Sequence, residues 1–85
     1  MSNNTLSIVI PCFNEANTIA QIVERIVAAD SCDYKKELII VDDASSDNSL
    51  AEIESLVASD PRIQFARHPI NQGKGAALRT GINMA

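Results

Sequence analysis

Glu37–Ser49 reads ELIIVDDASSDNS, an unbroken apolar run that stops on two aspartates and passes into polar residues able to start a helix. Successive side chains of a strand point to opposite faces, so a strand with one wet face alternates apolar with polar. Leu38, Ile39, Ile40 and Val41 do not alternate, and a strand apolar on both faces belongs in a sheet covered on both sides. Beyond the aspartates, Asp47 or Ser46 can cap a helix with Leu50, Ile53, Leu56 and Val57 turned inward, and Pro61 ends that region.

The same strand-then-helix unit recurs on either side. Upstream, LSIVI at Leu6–Ile10 reads as a strand stopped by Pro11, and Asn14 can cap a helix whose Ile19, Ile22, Val23, Ile26 and Val27 form one apolar stripe. Downstream, RIQFA at Arg62–Ala66 alternates as a third strand, and a third helix starts at about Gly75 with Ala77, Leu78, Gly81, Ile82 and Ala85 on one side. Three such units in succession predict a Rossmann-like α/β fold, a parallel sheet with helices on both faces, because parallel neighbours need crossover connections. Strands one and two look buried on both faces and strand three looks like an edge, which gives the order 3-2-1. A ligand of such a sheet sits beyond the carboxyl ends of the strands, where PCFNE, DDASSDN and HPINQGKG meet.

The 85 residues read as one small domain or part of one, and a chain of that size buries only about two-thirds of its surface, so a thin core is expected. With 46% hydrophobic and 21% charged residues the composition is that of a globular chain. No apolar run is long enough to cross a bilayer and the N-terminus has no basic leader, so the expected compartment is the cytoplasm. Cys12 and Cys32 fit neither a zinc pattern nor a disulfide framework and read as reduced packing residues. The net charge of −4 argues against nucleic acid as a partner, yet its distribution is uneven. Residues 1–60 hold all eleven acids, whereas residues 61–85 hold Arg62, Arg67, Lys74 and Arg79 and no acid, so a basic end beside acidic loops could grip a small anion.

The three loops carry the chemistry. Pro11 fixes the strand exit, Phe13 offers an aromatic face, and Asn14 and Glu15 offer hydrogen-bonding groups, although Asn14 reads equally well as a plain helix cap. Asp42 and Asp43 point to opposite faces, so at most one is expected to enter the cleft, where a carboxylate can accept from a base N–H or ribose hydroxyls, while the other tethers a loop. The two could instead simply complement the next helix terminus. Gly73 permits close backbone approach and Lys74 can meet a diphosphate near the third helix. NQGKGAALRTG is not a P-loop, because it lacks the full spacing and has no Ser or Thr after the lysine. His68, ahead of Pro69, reads as a loop residue and not as a base.

Taken together, SIVIPCFNE, ELIIVDDASSDNS and NQGKGAALRTGI occur in the order and spacing seen in family 2 glycosyltransferases, and the resemblance covers essentially the whole chain. It resembles the N-terminal, nucleotide-binding half of a GT-A catalytic domain, and the NQGKGAALRTG form is similar to polyprenyl- or dolichyl-phosphate mannosyl- and glucosyltransferases. The resemblance implies that Pro11, Phe13 and Glu15 line the nucleotide pocket and that Asp43, with Asp42 secondary, reads the base edge. It also implies that Gly73 and Lys74 close around the diphosphate of a UDP- or GDP-sugar. Many members carry an Ala-Arg-Asn triplet whose arginine helps hold the base; here Leu78 stands at that position and Arg79 follows.

Family members also carry an Asp-x-Asp motif beyond a fourth strand, whose carboxylates bind a divalent metal, Mg or Mn. Residues 1–85 are therefore expected to be a partial catalytic domain ending before that motif, with no catalytic residue and no metal ligand assigned within it. The implied function is part of an enzyme transferring sugar from a nucleotide donor to an acceptor such as a polyprenyl phosphate, in a membrane-associated parent. The alternative is a non-catalytic nucleotide-binding or interaction module. A sugar-nucleotide pyrophosphorylase is disfavoured because PCFNE has no glycine to hold a triphosphate. With order 3-2-1 the outer edge of strand one is open, which predicts self-association.

Overall fold

The computed structural model describes residues 5–29 and 34–85. Three strands, β1 (Thr5–Cys12), β2 (Lys35–Asp43) and β3 (Ile63–His68), alternate with three helices, α1 (Ile19–Ala28), α2 (Ser49–Ser59) and α3 (Lys74–Met84). The sheet is parallel with β2 in the centre, which is the expected 3-2-1 order. Ile8 pairs with Leu38 across β1 and β2, and Leu38 with Ile63 across β2 and β3.

The central strand is the part whose sequence does not alternate, and Leu38, Ile39, Ile40 and Val41 are all fully buried. Their side chains divide between two cores. Leu38 and Ile40 join Ile10, Cys12, Ile19, Val23, Ile53 and Ile63 beneath α1 and α2, whereas Ile39 and Val41 join Ala77 beneath α3. Helices thus cover both faces. Close packing of α3 depends on Gly81: a Cβ built there would lie 2.2 Å from Cγ1 of Val9, so only a residue without a side chain lets the helix approach β1. At the opposite end, the Lys36 ammonium donates to the carbonyls of Ile26, Val27 and Ala29, satisfying the open C-terminal turn of α1.

Around β1 and the loop that follows it, two sequence expectations change. β1 is not buried on both faces: only Ile10 and Cys12 are buried, and Leu6 is 43% exposed. The reason is its position, since β1 pairs only with β2 among the described residues. Asn14 does not cap α1, which begins at Ile19 after a turn in which the Thr18 and Ile19 amides donate to the Glu15 carbonyl. Asp47 does serve the start of α2, accepting from the Ser49 amide at 2.9 Å, one position ahead of the cap residue Asn48. The thiol of Cys12 is buried as expected; Cys32 lies outside the described residues.

Candidate functional site

Parallel strands end together, so their carboxyl-terminal loops gather at one edge of the sheet. A cavity of about 410 Å³ opens there, lined by Pro11, Cys12, Phe13, Glu15, Asp43, Asn71, Gly73, Lys74 and Ala77. Six of the seven site residues expected from the sequence are on this wall, each contributed by one of the three anticipated loops. Asp42 is not.

The strand pleat separates the two aspartates. Asp42 points to the α1/α2 face, fully buried, where it accepts from the Ser45 hydroxyl and, at 3.2 Å, from Nε of Arg67. Asp43 points to the α3 face and is one wall of the cavity. Its Oδ1 accepts from the Gln72 amide at 2.9 Å and lies 2.9 Å from Nδ1 of His68, while Oδ2 accepts from the Gly73 amide at 2.8 Å. These donors, the Gln72 amide first and the His68 ring second, hold the Asp43 carboxyl below the usual carboxylate range. A carboxylate has about four lone-pair positions, so three donors leave Asp43 able to accept one more hydrogen bond from the cavity.

The loop after β1 is built by side chains of the loop after β2 and the first residue of α2. The amides of Asn14, Glu15 and Ala16 donate to the Ser45 hydroxyl (2.9 Å), the Ser49 hydroxyl (2.8 Å) and the Asp47 carboxylate (3.2 Å). In return the Asn14 side-chain oxygen accepts from the Ser46 amide at 2.8 Å. Asn14 and Ala44 take left-handed backbone conformations, φ 53° and 60°, at the two turns this stitching closes. The result leaves Phe13 half exposed at the cavity mouth. Burial pushes the Cys12 thiol up, which keeps it a neutral wall residue and not a nucleophile.

Gly73 has φ +92°, a conformation that side chains rarely adopt, and its turn sets Lys74 as the first residue of α3 beside the cavity. Sequence reasoning missed Asn71, whose side chain donates to the Asp43 carbonyl, and also Ala77 and Cys12. It also placed His68 in a loop. The ring ends β3, is 8% exposed, and is the register partner of Asp43. The alternation of β3, carried two residues past Ala66, would have put His68 on the Asp43 face.

A family model described as glycosyl transferase family 2 matches residues 7–85. The chain belongs to that family. This family 2 chain is 30% identical over 79 residues to a dolichyl-phosphate beta-glucosyltransferase of Trichomonas vaginalis, with 86% of the chain and 23% of the relative covered. It is 37% identical over 82 residues to a dodecaprenyl-phosphate galacturonate synthase of Rhizobium johnstonii, with 94% and 24% covered. The structure superposes on a mannosyltransferase from Pyrobaculum calidifontis, solved in complex with GDP-Man and Mn2+, with a TM-score of 0.84 at 25% identity. That match covers 96% of this chain and 24% of the other, so the chain spans about a quarter of the length of the proteins it matches. The sheet is accordingly the Rossmann-like part of a GT-A fold.

Among the described residues no group of three His, Cys, Asp or Glu side chains could hold a metal ion. The cavity wall carries two carboxylates, Glu15 and an Asp43 that already holds three donors, so the residues present do not fit a divalent metal. No described helix is long and apolar enough to cross a membrane.

Proposed function

We propose that this chain is the donor-binding part of a glycosyltransferase and that the cavity holds the nucleoside diphosphate of a nucleotide sugar. The observation that carries the reading is the convergence of Pro11, Phe13, Glu15, Asp43, Gly73 and Lys74 on one cavity beyond the strand ends. Phe13 offers a half-exposed ring for a base, and Glu15 and Asp43 offer acceptors for base N–H or ribose hydroxyl groups. The Gly73 turn and Lys74 at the start of α3 offer backbone proximity and positive charge to the diphosphate. Asp42 acts one layer back, holding Ser45, whose hydroxyl in turn holds the Asn14 amide.

The relatives named for dolichyl and dodecaprenyl phosphate support a polyprenyl phosphate as acceptor in a membrane-associated enzyme, and the GDP-Man complex supports a nucleotide sugar as donor. A divalent metal, which neutralises charge on the departing diphosphate, would be held by residues outside this chain. The test is titration of the protein and of Lys74→Ala with GDP, UDP and the corresponding nucleosides. Loss of diphosphate affinity by about tenfold with nucleoside affinity unchanged is expected, since the ammonium acts mainly on phosphate. Equal losses for both ligands would assign the 73–75 segment to turn geometry alone.

A further inference from the structure

His68 is buried behind Asp43 and has no place among the ligand contacts proposed above. Its ring is 8% exposed and both nitrogens are engaged: Nδ1 lies 2.9 Å from Asp43 Oδ1 and Nε2 lies 2.8 Å from the Thr80 hydroxyl. An ionised Asp43 only accepts, so Nδ1 carries the hydrogen of the first bond. The second reaches the α3 face two turns into the helix, because Thr80 is six residues past Lys74. Asp43 also binds the Gln72 and Gly73 amides. One imidazole therefore connects the end of β3, the carboxylate that grips the loop, and the body of the helix that the loop leads into.

We propose that His68 is a positioning residue for the phosphate side of the cavity, acting through Asp43 and Thr80 and touching no ligand itself. The inference rests on the nucleoside diphosphate reading above. Without the bridge, Asp43 loses the charge-assisted donor that orients its Oδ1, and α3 loses its polar link to β3. The Gln72 and Gly73 amides still tie the turn to Asp43, but the body of α3 is then seated by Ala77 and Gly81 packing, which fixes the distance of the helix from the sheet more firmly than its position along the sheet. Binding of phosphate at Lys74 depends on that position, whereas a base meets Phe13 and Glu15 on the loop after β1 and reaches an Asp43 that the Gln72 and Gly73 amides still hold in place.

Thr80→Val tests this with little change of shape, and Thr80→Ser restores the hydroxyl. Titration by NMR is made with GDP, UDP, guanosine and uridine, together with hydrogen exchange at the Gln72 and Gly73 amides. Thr80→Val should weaken diphosphate binding about threefold to tenfold, leave nucleoside binding within about twofold, and speed exchange of both amides about tenfold, with Thr80→Ser close to the parent. The losses in His68→Ala and Thr80→Val should also fail to add in the double variant, since both remove one bridge. Unchanged amide exchange in Thr80→Val, equal loss for nucleosides and diphosphates, or a Thr80→Ser variant as weak as Thr80→Val would each overturn the proposal. A parent protein that binds no nucleoside diphosphate would overturn the donor-binding reading instead, while amide exchange still decides whether the bridge sets the loop.

Discussion

Asp43 shows how a single carboxylate can be both wall and clamp. Its pKa is lowered in the folded chain by the Gln72 amide and the His68 ring, so the unfolded chain binds more protons in acid. The stability it contributes is present above its ordinary value, about 3.8, and is lost as pH falls through the lower folded value. Asp43→Asn keeps an acceptor and removes the charge, so its urea midpoint should lie below that of the parent at pH 6. The two should converge toward pH 3, because the other carboxylates are common to both proteins. A gap of constant size across that range would show that shape, and not ionisation, is what the loop requires. Of this arrangement the sequence disclosed the aspartate pair and their opposite directions. It did not disclose the partners, since Gln72, Gly73 and His68 lie 25 to 30 residues away and meet Asp43 only because β3 lies beside β2.

The helix–sheet contact of α3 depends on one missing side chain. Gly81→Ala gains about 1 kcal/mol of helix propensity but places a Cβ 2.2 Å from Val9 Cγ1, and forcing extra atoms into a packed contact costs about 1–3 kcal/mol. Val9 cannot swing away cheaply, because its branched side chain is stiff. The clash wins, so the variant should unfold at lower urea, and adding Val9→Ala should recover part of the loss. Additive effects of the two changes would mean that α3 shifts freely and that Gly81 is not what seats it. The apolar spacing of α3 was legible from Ala77 and Gly81; the reason for a glycine was not. Leu78 and Ile82, assigned to the same inward side, are 36% and 63% exposed, because α3 turns its small residues to the sheet and leaves these larger ones outside.

For the molecule as a unit, β1 presents the open feature. Its Thr5–Cys12 backbone pairs with β2 along one side, and among the described residues no strand pairs with the other. Free strand edges pair with other chains, and a charge on the edge suppresses this. Sedimentation velocity should therefore show association that grows with concentration, and Leu6→Lys, at a side chain already 43% exposed, should reduce it. A monomer at every concentration would show that the edge is shielded.

Fold class was readable from the chain alone, because burial on both faces of β2 and the 3.6-residue stripes of α1 and α2 are local patterns that strand and helix geometry impose on any sequence adopting them. The cavity's composition was readable almost as fully, since each lining loop follows a recognisable strand end. Strand burial and side-chain partnership were decided only by the tertiary structure. Whether β1 is covered depends on what lies beside it, and whether Asp42 or Asp43 faces the cavity depends on which helix covers which side. His68 became a bridge in the same way: a residue's polar partners are set by distances in space, and these arise only when the parallel register brings Asp43 and His68 opposite one another.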